Sequence, residues 1–426
     1  MAQSLITVSK ARSGGAVCCQ NSNLKTCNLA TIDPGLLGSK KLTLPGGASA
    51  TFLNNAGENP NAYHYGGNES DVILTFNPKT GGMHGHAMMP DGRSFTLEYC
   101  GNQGHVWKEI DVENIEYSKV DDFENNFNKV NARAAHDKYV TQGKADNVTM
   151  ATYSVKFYYT PTFAANTPDI EGFLEQVIAE TNQGYENSRV PLQVKMHCFE
   201  EATINDNPNE DHLILKNFEN MKGSATELRG SADVASLLIN SFGRSNLCGQ
   251  GWQNTLAGGR TFSVIKKSCA VGYYTFGHEV GHNIGLQHNP ANGTNRVYPY
   301  GHGHWFKKGS GYPLGQRPPK NGFFDFITGY NTIMAYDAPK YNTKVNYYSN
   351  PSVAYPLTGS STGVEGLSNN AAVLLLNRFS LAAIGNESVK CMKPCLDRSS
   401  YCWSCGSWTC WTSWCKNNCP KKCKKC

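Results

Sequence analysis

No stretch of this 426-residue chain is apolar for long enough to cross a bilayer as a helix, which takes about 20 such residues. That excludes a helical span within the sequence. The first ten residues, Met1 to Lys10, also lack the apolar run of a signal peptide. Charge is scarce, with Asp, Glu, Lys and Arg making up 17% of residues and a formal balance of only +5. All of that excess sits in the last 36 residues, where seven Lys or Arg face one acid, Asp397. The rest of the chain is close to neutral, so nothing points to a nucleic-acid binder. Cysteine, by contrast, is abundant at 16, with 42 glycines beside it. So many cysteines do not fit a reduced cytosolic enzyme, because disulfides persist in oxidising compartments. Asn68, Asn147, Asn292 and Asn386 each open an N-x-S/T sequon, which is compatible with export. The expectation is therefore a secreted, extracellular protein whose leader is missing from this sequence.

Within this loop-rich chain one segment carries chemistry: His278 to His288, H-E-V-G-H-N-I-G-L-Q-H. Histidines four apart share one face of a helix, so His278 and His282 can reach one metal ion while Glu279 projects beside them. Gly285 can end the helix and turn the chain back to bring in His288. Three protein ligands with the fourth position left to water is the arrangement of a catalytic zinc, not of a closed structural one. A second feature follows at Tyr330-Asn331-Thr332-Ile333-Met334-Ala335-Tyr336.

The pair resembles the metzincin zinc proteases, whose long histidine motif is followed by a methionine turn beneath the metal. On that resemblance Met334 is the methionine of the turn. Tyr336 is similar to the tyrosine that astacins and serralysins place near zinc as a movable ligand. The segment Tyr273 to Asn289, with Asp233 to Ile239 and Asn369 to Ala372, looks most like the reprolysin (adamalysin) branch, over roughly Met150 to Asn386. Many reprolysins have aspartate after the third histidine. Here it is Asn289, so support for that turn has to be an amide hydrogen bond instead of a charge. The resemblance implies one catalytic Zn2+ held by His278, His282 and His288, with Glu279 as general base. It also implies protein or peptide substrates, and a Tyr336 hydroxyl that stabilises the developing oxyanion.

At this length two or three domains are expected. Residues 1–145 contain alternating runs such as Asp71 to Phe76 and Ser94 to Tyr99 between Asn-, Gly- and Pro-rich turns, and read as a β-rich, propeptide-like domain. Residues 117–139 are polar, either a solvated helix or a cleavable linker. Residues 150–388 alternate strands and helices. Val155 to Tyr159, Leu192 to Met196 and Val234 to Ile239 read as strands; Ile170 to Asn187 has the helical period, with Ile170, Phe173, Leu174, Val177 and Ile178 on one side. The zinc helix is expected from near Ser268 and a last helix over Asn369 to Ile384. A long loop from Asn289 to Gly322 would wall the substrate site. The fold class expected is an α/β (α+β) metzincin-type domain with an active-site cleft.

The last 36 residues, 391–426, hold nine cysteines and too little else to form a core, so disulfides must hold them together. Cys395, Cys402, Cys410, Cys419, Cys423 and Cys426 resemble the ShK toxin-like pattern, with Cys405 and Cys415 as an added bridge. A Lys-Tyr pair of channel-blocking type is not evident. Trp403, Trp408, Trp411 and Trp414 with five late lysines suggest docking on proteins, glycans or anionic membranes. The alternative to an enzyme is thus a secreted toxin-like or binding protein acting through this tail. Two further candidates remain. Cys100, in Tyr99-Cys100-Gly101-Asn102, could be a thiolate latency switch over the zinc, or it could pair within the even set Cys18, Cys19, Cys27 and Cys100. His84 with His86, and His302 with His304, could each grip a second metal, although loop histidines at that spacing are more often polar surface or support.

Overall fold

A computed structural model describes residues 4–12, 16–19, 24–67, 70–111, 122–123, 149–204, 206, 211–243, 247–290, 298–306, 329–336 and 343–385. The tail module at 391–426, nearly all of the polar 117–139 segment and most of the Asn289 to Gly322 loop fall outside them. The structure is a mixed α/β protein with a β-rich N-terminal part.

That part is one antiparallel nine-stranded sheet: β1 (Ile6–Arg12), β2 (Leu24–Ile32), β3 (Lys41–Thr43), β4 (Ser49–Asn55), β5 (Ala62–Gly66), β6 (Asp71–Asn77), β7 (Gly82–Met88), β8 (Ser94–Tyr99) and β9 (His105–Ile110). Their order is β1-β2-β9-β8-β7-β6-β5-β4-β3. Its two ends meet at a bridge between Ser4 and Thr43, so the sheet curls round its own core of Leu5, Leu42, Tyr65, Leu74, Leu97 and Trp107. Alternation along the strands sends one set of side chains inward. Cys18 is bonded to Cys100 and Cys19 to Cys27.

The second sheet has six strands, β10 (Asp122–Phe123), β11 (Ala151–Tyr159), β12 (Leu192–Glu201), β13 (Val234–Ile239), β14 (Gly249–Trp252) and β15 (Phe262–Lys266), in the order β10-β14-β15-β13-β11-β12. β11, β12, β13 and β15 run parallel, while β14 is antiparallel to β15. Between its strands run α1 (Pro161–Ala165), α2 (Ile170–Asn187), α3 (Asp211–Glu219) and α4 (Ala225–Arg229), and α5 (Lys267–Ala270) follows its last strand. Then come α6 (Thr275–Ile284), a small sheet of β16 (Trp305–Phe306), β17 (Tyr330–Asn331) and β18 (Thr343–Lys344), and α7 (Asn370–Leu381). One face of the six-stranded sheet packs on α2, α6 and α7, the other on α3 and α4.

Helix α2 keeps the bounds that its period predicts, with Asp169 as a cap accepting from the Gly172 amide at 3.1 Å. Its apolar side meets the six-stranded sheet. Its polar side is also covered, by the nine-stranded sheet. Gln176 accepts from Thr75 at 3.0 Å and donates to the Ile73 carbonyl at 3.1 Å. Asp169 takes bonds from Asn77 and His84 at 2.8 and 3.3 Å. Glu180, on the flank of the helix beside Phe173 and Val177, is likewise only 1% exposed.

Two expected bounds move. The zinc helix begins at Thr275 instead of near Ser268, because Gly272 (φ 84°) and Tyr274 (φ 59°) are left-handed and break the helical path after α5. The last helix stops at Leu381.

Candidate metal centre and active site

Helix α6 is wholly buried, and glycines let its neighbours come close. His278 and His282 lie one turn apart on it, and Gly285 (φ 106°) ends it and turns the chain toward His288. The three Nε2 atoms converge: 3.0 Å between His278 and His282, 3.0 Å between His282 and His288, and 3.1 Å between His278 and His288. Nitrogens on a tetrahedral zinc, at bonds of about 2.0–2.1 Å, stand about 3.3 Å apart. The triad is therefore within a few tenths of an ångström of the separation that the ion requires.

The other ring nitrogens fix the tautomers. His278 donates from Nδ1 to the Ile333 carbonyl at 2.7 Å, and His282 from Nδ1 to the Leu286 carbonyl at 3.0 Å. Each Nε2 is thereby left with its lone pair toward the centre. Burial, and then the two neighbouring imidazoles, hold His278 well below the usual histidine range, so it is neutral as a ligand must be. Three imidazole nitrogen donors suit zinc. Among the described residues this is the one group of three metal-ligating side chains brought together.

Glu279 is 1% exposed and lies against β14. A Cβ built on Gly249 would stand 2.4 Å from Glu279 Oε1, and one on Gly251 2.8 Å from Oε2. The Gly249-Gln250-Gly251 stretch thus leaves a slot for the carboxylate. Sequence reasoning missed this strand; its signal was two glycines at i and i+2, which on a strand point to the same face. Asn283 donates to the carbonyls of Trp252 and Phe262 at 2.7 and 3.2 Å, pinning α6 to β14 and β15. The Cys248–Cys269 disulfide joins the start of β14 to α5. On its outer side β14 pairs in parallel with Asp122–Phe123, through Gly251 and Trp252.

Met334 is fully buried beneath the helix, its Sδ 2.6 Å from where a Cβ on Gly281 would be. The ring of Tyr336 stacks on that of His288 with centroids 3.6 Å apart. The Tyr336 amide donates to Asn289 Oδ1 at 3.3 Å, the amide support expected where aspartate is replaced. His302 lies behind the site, with Nδ1 2.7 Å from the His288 carbonyl. His304 stacks on Phe306, and burial lowers its pKa to about 4. His84 is paired with Asp169 and His86 with Ser94, at 3.3 and 2.7 Å. Cys100 requires a correction. It is bonded to Cys18 within the nine-stranded sheet, and a disulfide sulfur has no thiolate to offer a metal.

Residues 149–349 match the reprolysin-type model of metallo-peptidase family M12, a metal-dependent group. Curated relatives include the peptidyl-Asp metalloendopeptidase of Stenotrophomonas maltophilia, 28% identical over 69% of this chain and 66% of its own. That of Xanthomonas campestris pv. campestris is 25% identical over 68% and 65%. The chain thus spans about two thirds of the length of these relatives. Among solved structures, metalloproteinase-II from Bacteroides fragilis aligns with 61% of this chain and 85% of its own at 10% identity and a TM-score of 0.39.

Proposed function

We propose that this chain is a zinc metalloendopeptidase in which His278, His282 and His288 hold the ion and Glu279 is the general base. The observation that carries the reading is the convergence of three Nε2 atoms at 3.0–3.1 Å with Glu279 buried beside them. Zinc, when bound, supplies a Lewis acid and brings the pKa of water toward neutrality. Glu279, held in the β14 glycine slot, takes the proton of the attacking water and returns it to the leaving amine. The Tyr336 hydroxyl donates a hydrogen bond to the substrate oxygen as charge develops there. Met334 and the Ile333 carbonyl keep the first ligand oriented.

An extended peptide would add to β14 on the side that now pairs with Asp122–Phe123, in place of that pairing. The names of the relatives support a preference for bonds beside aspartate. In this reading residues 1–145 form a β-rich unit that precedes the protease, 150–388 the metallopeptidase, and 391–426 a ShK-like docking module. The disulfides support an extracellular setting.

The test is to express the full chain and measure bound zinc. Digestion of aspartate-containing peptides, before and after limited proteolysis, is then compared with that by Glu279→Ala. Cleavage abolished by a chelator, and absent from a folded, zinc-loaded variant, is the expected result. A folded, zinc-loaded parent that cleaves nothing would refute it.

A further inference from the structure

The eight residues that lead into the zinc helix, 267–274, rest on the nine-stranded sheet. Lys267 of α5 forms an ion pair with Glu98 of β8 at 2.7 Å. Gly272 faces β7 and β9 so closely that a Cβ there would meet His86 Cδ2 at 2.9 Å and Ile110 Cδ1 at 3.0 Å. Tyr274 packs edge-on against His86, ring centroids 5.6 Å apart, with its hydroxyl 3.4 Å from His86 Nδ1.

Tyr274 is the residue that launches the zinc helix. It has φ 59° and ψ 28°, a left-handed conformation that a residue with a Cβ does not keep unaided. Its carbonyl accepts the amide of His278 at 3.0 Å, so the backbone of the first metal ligand hangs from it directly. On the protease side, Glu180 of α2 takes the Gly272 amide at 2.9 Å and Thr275 donates to the Cys269 carbonyl at 2.8 Å. These bonds hold the two ends of the turn. The side chain of Tyr274 packs into the core of the six-stranded sheet and its helices, and the partner of its hydroxyl, His86, comes from the other sheet.

His86 is built for that contact. It is 3% exposed, and burial lowers its pKa to about 4, so the ring is neutral and has one donor and one acceptor. The Tyr274 hydroxyl, whose ionisation burial suppresses, faces Nδ1 at 3.4 Å and Ser94 Oγ faces Nε2 at 2.7 Å, so each ring nitrogen has a polar partner. A ring that served only as filling would need neither bond.

We infer that the nine-stranded sheet is a working part of the metal centre, with His86 acting as a positioning residue that sets the zinc helix through Tyr274. This rests on the reading of His278, His282 and His288 as metal ligands. It goes beyond that reading because it makes the N-terminal sheet necessary to the site.

The experiment uses the full chain loaded with cobalt(II), whose visible spectrum reports ligand geometry, alongside zinc titration and turnover. The parent, His86→Ala, His86→Asn and Tyr274→Phe are compared. In His86→Ala the cobalt bands should change, and zinc affinity should fall about tenfold, as when an outer partner of a ligand is lost. His86→Asn, which keeps a hydrogen-bonding amide near the place of Nδ1, should restore most of both. Tyr274→Phe, which keeps the ring and loses the hydroxyl, should shift both in the same direction, and it decides the matter if His86→Ala does not fold. Folded variants with lowered melting temperatures but the parent's cobalt spectrum and zinc affinity would overturn the inference, leaving His86 as packing. A folded parent that takes up no cobalt would instead overturn the metal reading, and this one with it.

Discussion

His278 gives its Nδ1 proton to the carbonyl of Ile333, the residue before Met334, at 2.7 Å. The methionine turn therefore does more than fill space under the helix. It selects which nitrogen of the first ligand faces the metal. Lys344 steadies the same turn, donating to the carbonyls of Ile333 and Ala335 at 3.3 and 2.6 Å.

If the turn supports the ligands by contact, crowding it should weaken metal binding. A Cβ on Gly281 would stand 2.6 Å from Met334 Sδ and 3.1 Å from Leu286 Cδ1, and the Leu286 carbonyl holds His282. Gly281→Ala is expected to lower zinc affinity by about 10–100-fold. Competition with a chromophoric chelator measures it, and parent-like affinity would mean that the turn yields freely.

The glycine slot in β14 separates chemistry from metal binding. Gly249→Ala puts a methyl group where Glu279 Oε1 and Thr275 Cγ2 now lie, 2.4 and 2.7 Å away, without touching any of the three histidines. The carboxylate must move. Zinc content should stay at the parent level while kcat drops by about 10²-fold or more, the scale of a lost general base. An unchanged kcat would show that Glu279 works from another position.

Cys100 belongs to the stability of the N-terminal sheet. The Cys18–Cys100 bond closes a separation of 82 residues, and removing such a native bridge costs about 2–5 kcal/mol. Replacing both cysteines by alanine should lower the unfolding midpoint in denaturant and leave peptidase activity without any gain. A rise in activity on loss of Cys100 alone would restore the switch.

What the sequence makes legible is what local rules determine. Ile170–Asn187 keeps its predicted ends because period, cap and apolar stripe agree, and the ligand spacing transfers directly to the convergence of His278, His282 and His288. The misses are non-local. Nothing within α2 reveals that a second sheet covers Gln176 and helps to bury Glu180. The start of the zinc helix was misplaced because the turn at Gly272 and Tyr274 is fixed by Glu180 and His86, which are remote in the chain. Cys100 could not be assigned before its partner was known.

Glu180 gives that covered face a pH signature. Burial raises its pKa to about 8, against the two hydrogen bonds it accepts from Gly272 and Gln176; Asp71 adds to the rise. Its ordinary value is 4.5. Below that value both folded and unfolded chains hold the proton, and the group costs nothing. As pH rises toward 8 the unfolded chain releases the proton and the folded chain keeps it. Stability is then lost, by up to about 1.4 kcal/mol per pH unit. His86 and His105, both lowered to about 4 mainly by burial, act in the opposite sense, losing stability as pH falls below the usual histidine value. The difference between the parent and Glu180→Gln isolates the glutamate from them. Unfolding free energies in urea at pH 5 and pH 8 should show the variant gaining on the parent as pH rises. Parallel curves would mean that Glu180 is already ionised in the folded chain, its charge carried by the Gly272 amide and the Gln176 side chain.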